Sequence, residues 1–288
     1  MTVSPAARLR GLLASGEIVM APGAPDSLSA RVIEQAGFPA IYMTGLGATA
    51  SRLGTPDIGL LTQTEMTEHA RNMARAVSIP IIADADTGYG GPSNIHRTVR
   101  EHVQAGVAAI HLEDQMAPKR CGQLAGIRLI DAEENVRRLA CAVEARGDDD
   151  LLIIGRTDAI GTLGPDEAIR RARLYQGAGV DLVFVDGIKT VAEVEAVARG
   201  VEGPKVVSIV DGNETVKLTA ADLQAMGFSV VLYAVTALFS ATRAVADAMA
   251  ALKRDGTPAQ AGVGYTYAEY CGLVDLPFHQ GLDDRFGA

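Results

Sequence analysis

Cysteine is scarce in this chain. There are three, Cys121, Cys141 and Cys271, among 288 residues. Their odd number and wide spacing argue against a disulfide framework and suit a reducing compartment, the cytoplasm. Positive charge is also short. Twenty-six Lys and Arg face 35 Asp and Glu, a formal net charge of −9. That disfavours nucleic acid and anionic membranes as partners, because both need a basic face. A long uninterrupted apolar run is missing. The stretch Leu223–Thr242 carries no charge and approaches the ~20 residues of a membrane span. Gln224, Gly227, Ser229, Thr236 and Ser240 interrupt it, so it reads as a helix end, a buried strand and a loop. Met1–Arg10 lacks the apolar segment of a secretion signal, and none is expected. Low-complexity tracts are absent. Hydrophobic residues, in contrast, make up 48% of the chain, ample for a large core and too many for a disordered polypeptide.

One short pattern recurs: a helix-like stretch, a glycine, then an apolar run. It occurs at Glu34–Gly37 before Ala40–Met43, at Val103–Gly106 before Ala108–Leu112, at Gln176–Gly179 before Asp181–Val185, and at Gln224–Gly227 before Ser229–Tyr233. The glycine sits where a helix C-cap needs a left-handed residue, and each run is short enough for a buried strand. Eight strand candidates follow, centred on Val19, Tyr42, Ile82, His111, Ile153, Phe184, Val207 and Val231. Helix starts fall between them: Thr62, Asp131, Thr190 and Thr219 each precede an acid by three residues, and Ser93 and Pro165 mark two more. Eight alternating units with no composition break fit an α/β chain folded as a single (β/α)8 TIM-type barrel over residues 1–255, with a C-terminal helical extension over 256–288. A doubly wound sheet is the rival, since spacing alone does not show closure.

In such barrels the chemistry lies at the C-terminal ends of the strands. Asp84 and Asp86 are two apart and face one side of an extended strand. With Glu113 and Asp114 at the next strand end, they suit a hard cation such as Mg²⁺; helix capping or salt bridging is the alternative. Arg156 reads either as a clamp on a substrate carboxylate or as a structural ion pair. Residues 116–126 form a long loop with two glycines, suited to a lid. Cys121 follows two cations there, which would lower its pKa. The five histidines show no ligand spacing, and His111 reads as a satisfied core residue. At the end of the second strand, Tyr42, Thr44, Gly45 and Gly47 offer backbone N–H groups to an anion, or an ordinary tight turn.

These residues together resemble the isocitrate lyase/phosphoenolpyruvate mutase superfamily. The resemblance rests on Lys119-Arg120-Cys121-Gly122 with Tyr42–Gly45, Gly54–Gly59, Asp84–Gly90, His111–Gln115 and Arg156–Ala159 around it, in order from about residue 15 to residue 250. The branches most similar are 2-methylisocitrate lyase, 2,3-dimethylmalate lyase/oxaloacetate hydrolase and carboxyvinyl-carboxyphosphonate phosphorylmutase. The resemblance implies a barrel whose last helix is exchanged between subunits of a homo-oligomer, a dimer or tetramer. It implies Mg²⁺, with Mn²⁺ as an alternative, held largely through waters by Asp57, Asp84, Asp86 and Glu113. It implies catalytic roles for Cys121, Lys119 and Arg156. A small 2-oxo or 2-hydroxy acid is expected on Tyr42, Thr44, Gly45, Gly122, Gln123, Arg156, Asp186 and Ser208. Four positions depart from the lyase pattern: Gln123 stands for His, Asp186 for Glu, Ser208 for Asn and Ala234 for Pro.

The expectation is a Mg²⁺-dependent carbon–carbon bond lyase acting on a small 2-hydroxy dicarboxylate, methylisocitrate- or dimethylmalate-like, through an enolate-like intermediate. Oxaloacetate hydrolysis or decarboxylation, or carboxyvinyl-carboxyphosphonate phosphorylmutase chemistry, keeps the metal site and changes the reaction. A non-catalytic ligand-binding paralogue is the third reading.

Overall fold

The computed structural model describes residues 3–262 and 264–287. The outer ends of the two expected segments, residues 1, 2 and 288, lie outside that range. The strands are β1 (Val19–Ala24), β2 (Ile41–Met43), β3 (Ile81–Asp84), β4 (Ala109–Glu113), β5 (Leu152–Thr157), β6 (Leu182–Val185), β7 (Lys205–Ile209) and β8 (Val230–Tyr233). The helices are α1 (Pro5–Ala14), α2 (Ser27–Gln35), α3 (Gly45–Leu53), α4 (Gln63–Ala76), α5 (Pro92–Ala105), α6 (Ala132–Arg146), α7 (Ile160–Leu163), α8 (Pro165–Gln176), α9 (Val191–Gly200), α10 (Ala220–Ala225), α11 (Thr236–Asp255), α12 (Tyr267–Leu273) and α13 (Leu276–Phe286). Each strand pairs parallel with the next, and β8 returns to β1 with Val19 opposite Val230. That pairing closes the barrel and excludes the doubly wound rival.

Two compact units make up the chain, Met1–Thr236 and Ala237–Ala288. The division comes ahead of the 255/256 boundary read from the sequence, because α11 runs unbroken from Thr236 to Asp255. In the first unit, strand residues alternate between two cores. Val19, Ala21, Tyr42, Ile82, Leu152, Ile154, Phe184, Val206 and Leu232 fill the barrel interior together with Ala6 and Leu9 of α1. Ile41, Met43, Ile81, Ala83, Ile110, Ile153, Val183 and Val207 face the helices. The remainder of α11, with α12 and α13, forms the second unit.

Local chemistry sets the boundaries. Thr62, Thr190 and Thr219 each make a full reciprocal capping box. Asp131 caps in one direction only, accepting from Glu134 N at 3.1 Å. The helix expected at Ser93 opens one residue earlier, at Pro92, where a missing N–H costs nothing. Gly106 ends α5 at φ +83°, a conformation that a Cβ would strain. The uncharged stretch Leu223–Thr242 resolves into the end of α10, β8 and the first turns of α11. Its last part is helix rather than the expected loop, since Thr236 starts an uninterrupted helical run. No described helix is long and apolar enough to cross a membrane.

Candidate active site

The interior parity carries directly to the strand ends. Counting in steps of two, Ile82 leads to Asp84, Ala109 to His111 and Glu113, Ile154 to Arg156, Phe184 to Asp186, Val206 to Ser208 and Tyr42 to Thr44. All of these are buried. Asp114, one step out of phase with Glu113, points the other way. It accepts from Thr157 Oγ1 (2.7 Å), Asp158 N (3.0 Å), Arg171 Nη1 (2.9 Å) and Tyr175 OH (2.7 Å). It is therefore a structural anchor and not part of the acid cluster that the sequence suggested. Asp211 accepts from Thr236 Oγ1 at 2.7 Å and also stays outside that cluster.

Two buried groups of charge form at the barrel mouth. In the first, Lys119 Nζ lies 2.7 Å from Asp57 Oδ1 and 2.8 Å from Asp86 Oδ1. Asp84 accepts from Gly45 N (3.2 Å) and from Asp86 N (2.9 Å). A Cβ on Gly45 would sit 2.5 Å from Asp84 Oδ2, so glycine is required there. Burial alone would raise Asp84, but His111, Lys119, Arg156 and the Asp86 N–H hold its carboxyl well below the usual range. Burial, against the Lys119 charge, pushes Asp86 up to about 6, with Asp84 and Asp57 adding to the rise. Burial also opposes the Lys119 ammonium, yet Asp86, Asp84, Glu113 and Asp57 keep it protonated. Asp86 and Tyr89 both take positive φ, +47° and +61°, strain concentrated at the turn that presents these acids.

The second group surrounds Arg156. Its Nε and Nη2 bind both oxygens of Asp158 (3.1 and 2.8 Å), and Nη2 also meets Asp186 Oδ2 at 2.7 Å and Glu113 Oε2 at 3.3 Å. The ion-pair reading of Arg156 thus holds in this structure. Burial pushes Asp158 up to about 6 and raises Glu113 well above its ordinary value. Between the groups, Tyr42 OH and His111 Nε2 are 3.0 Å apart, and His111 Nδ1 is 3.7 Å from Asp84 Oδ1. His111 is accordingly a floor residue of the site, not a satisfied core histidine, and its Nδ1 has no hydrogen bond. Burial pushes it down to about 4, so it is neutral near pH 7.

The loop after β4 lies closed over these groups. Cys121 N donates to Asp57 O (3.0 Å), Met116 N to Arg128 O (2.7 Å), and Gln115 Nε2 to Arg120 O (2.7 Å). A Cβ on Gly122 would sit 2.5 Å from Asp186 Oδ2 and 2.6 Å from Asp158 Oδ1, so only glycine lets the lid come this near. Gln123 Oε1 accepts from Asn213 Nδ2 at 2.9 Å. The expected lowering of the Cys121 pKa is reversed. Burial pushes the thiol up to about 11; Asp186 and Asp57 add to the rise, and the Gln123 N–H and Arg156 oppose it. The flanking cations do not face it, since Lys119 is engaged by Asp57 and Asp86 and Arg120 Nη1 turns to Ala125 O. A cavity of about 590 Å³, lined in part by Asp86, Tyr89, Asn94, Arg97 and Lys119, adjoins the first group. That is ample for a small acid and its waters.

Asp86 Oδ1 and Glu113 Oε2 are buried and meet only the cations Lys119 and Arg156, and Glu113 Oε1 is buried with no partner. An unpartnered Glu113 oxygen, with Asp84, Asp86 and Asp57 as further hard oxygen donors, fits a divalent cation. Among the described residues no three His, Cys, Asp or Glu side chains converge tightly enough to ligate one directly; water-mediated contact suits them better. Sequence reasoning left Asp158, His111, Tyr89 and Asn213 out of the site. For Asp158 a signal existed, since it stands two residues beyond Arg156. For Asn213 there was none, because only the fold brings it to the lid.

The family model described as phosphoenolpyruvate phosphomutase matches residues 9–253. The chain is 42% identical over 271 residues to 2,3-dimethylmalate lyase of Eubacterium barkeri, covering 94% of this chain and 93% of that protein. Oxaloacetate acetylhydrolase in complex with 3,3-difluorooxalacetate superposes with a TM-score of 0.94 at 33% identity, over 99% of this chain and 98% of that one. A phosphonopyruvate hydrolase complex with oxalate and Mg²⁺ superposes with a TM-score of 0.88 at 33% identity, over 98% and 99% of the two chains.

Proposed function

The chain belongs to the phosphoenolpyruvate mutase/isocitrate lyase superfamily, and on that premise we propose that it is a Mg²⁺-dependent carbon–carbon bond lyase. Its substrate is a small 2-hydroxy acid, a dicarboxylate such as 2,3-dimethylmalate or a tricarboxylate such as methylisocitrate. The observation that carries this reading is Cys121: a thiol kept protonated, on a closed lid whose next residue rests on Arg156, Asp158 and Asp186.

The substrate lies against Tyr42, Thr44, the Gly45 N–H, Gly122, Gln123, Arg156, Asp186 and Ser208. Arg156 holds the oxo-acid half by charge, and Lys119 offsets the acids around it. Asp57, Asp84, Asp86 and Glu113 would hold a Mg²⁺ or Mn²⁺ ion, which would supply positive charge to offset the negative charge that develops on the oxo-acid half. The 2-hydroxyl proton passes to the buried acids. The electron pair of the breaking C–C bond stays on the departing carbon and delocalises into its carboxylate. Cys121 Sγ–H then gives that carbon its proton, leaving a 2-oxo acid and a carboxylic acid. The closed lid excludes water that would otherwise compete for the carbanion site.

A substrate panel tests this. Cleavage of 2,3-dimethylmalate yields pyruvate and propionate, and of methylisocitrate pyruvate and succinate. Cys121→Ser is expected to lower kcat by about 10²-fold or more, and chelation to abolish turnover until Mg²⁺ is restored. Full turnover by Cys121→Ser would sink the assignment. A second reading, oxaloacetate hydrolysis, is favoured by the fold's likeness to oxaloacetate acetylhydrolase and yields acetate plus oxalate. Decarboxylation would give pyruvate and CO₂, and mutase chemistry a new phosphonate by phosphorus NMR. Ligand-induced stabilisation with no turnover would mark a non-catalytic paralogue.

The assembly belongs to the same reading: a homo-oligomer, dimer or tetramer, joined and interlocked through the second unit, whose α11 leaves Phe239, Val245, Met249 and Leu252 exposed. Three free cysteines fit a reducing, cytoplasmic setting.

A further inference from the structure

Asn213 follows β7, far in sequence from the lid, and yet it governs a lid side chain. Its own backbone is fixed by Asn213 N donating to Val210 O at 3.1 Å, and the next residue ties this loop to the one after β6 through Glu214 N to Lys189 O at 3.1 Å. Its Nδ2 donates to Ile188 O at 3.4 Å and to Gln123 Oε1 at 2.9 Å. A backbone carbonyl can only accept, so the Ile188 contact fixes which end of the Asn213 amide faces the lid. That in turn fixes Gln123: its oxygen meets Asn213, and its Nε2 is turned away. This Nε2 is buried and has no hydrogen-bond partner. A buried amide donor left open is unfavourable unless something supplies an acceptor. Gln123 directly follows Gly122, which rests on Asp158, Asp186 and Arg156, and the Gln123 backbone N–H reaches the Cys121 thiol.

We propose that Asn213 is a positioning residue: it latches the lid through Gln123 and aims the Gln123 Nε2 donor at an acceptor oxygen on the substrate half that Cys121 protonates. The substrate half of this proposal rests on the lyase reading above; the latch does not. Asn213→Asp sharpens it, because a carboxylate would accept from Nε2, turn the Gln123 amide over and consume the open donor.

The test combines kinetics on the acid of the panel that is cleaved best with trypsin digestion after Lys119, which is buried in the closed lid, scored apart from cutting at the exposed Arg120. Asn213→Ala and Gln123→Ala are each expected to raise KM about tenfold with little change in kcat, and Asn213→Asp to raise it further. The double Ala variant should be no worse than either single one, as for residues acting through one another. Both Ala variants should be cut several-fold faster by trypsin than the parent. Additive losses in the double variant, or an unchanged KM, would overturn the donor role. Unchanged digestion would overturn the latch. Should the parent cleave none of the panel, the lyase reading falls, and the digestion still decides the latch: faster cutting upholds it and equal cutting removes it.

Discussion

His102, on α5 outside the two charge groups of the barrel mouth, has its tautomer settled by a single bond. It is fully buried on α5, and Nδ1 lies 2.8 Å from Thr98 O. Because that oxygen only accepts, Nδ1 must carry the proton, and Nε2 keeps a lone pair with no partner. Protonating Nε2 would create a buried cation whose new N–H has nothing to meet. Burial accordingly lowers its pKa, outweighing the Thr98 carbonyl. The folded value lies below the unfolded one of about 6.5, so below that pH the unfolded chain binds more protons and stability falls as pH falls. Urea midpoints at about pH 7.5 and 5.0 should show a smaller decline for His102→Gln than for the parent, since Gln takes up no proton. An equal decline in both would assign the acid sensitivity elsewhere. The neighbours Glu113 and Asp114 teach the same lesson about single residues. One faces the barrel interior and the other the helices, and adjacency in sequence put them on one list when strand geometry separates them.

At the scale of elements, the eight strands, the capping threonines and the repeat glycines were legible because each obeys a short-range rule: period two, a side-chain oxygen three residues before an acid, a positive φ at a helix end. The same period placed Asp84, Glu113, Arg156 and Asp186 at one mouth. What stayed hidden depends on contacts between distant segments. The Cys121 pKa was misread because Lys119 and Arg120 turn toward other partners, and no local pattern reports where a long side chain ends. Closure was equally hidden, as it needs β8 to meet β1. The role of α1 belongs with these. Its Ala6 and Leu9 enter the barrel-interior cluster, while Arg8 Nη1 donates to Ser78 O (2.7 Å) and Arg10 reaches Asp150 (3.3 Å) and Asp181 (2.8 Å). Those partners precede β3, β5 and β6, so α1 plugs the mouth opposite the site. Leu9→Ala is expected to cost about 2–4 kcal/mol in chemical denaturation and to leave KM unchanged. A shift in KM with no loss of stability would contradict that division of labour between the two mouths.

At the largest scale, the second unit carries much of the exposed apolar side-chain surface. Residues 237–288 hold ten of the twenty exposed large hydrophobic side chains among the described residues. In α11, Val245, Met249 and Leu252 repeat at four and three residues and so form one stripe, and Ala251 is the only described residue of that helix that is buried. Monomeric proteins rarely leave such surface in water. In the oligomer proposed above, a second copy of this chain covers the stripe, and its energetics have a definite sign. Each copy carries a formal −9, so copies repel, and apolar burial has to drive assembly against that repulsion. Salt screens the repulsion and leaves the apolar term in place. Association should therefore tighten as ionic strength rises from about 0.01 to 0.15 M, the reverse of an interface built on opposite charges. Light scattering should find a dimer or tetramer at micromolar concentration, and Val245→Glu with Met249→Glu should reduce it to a smaller species with unchanged far-ultraviolet circular dichroism. A parent chain that stays monomeric, or an assembly that salt dissociates, would mean that this stripe is not where copies meet.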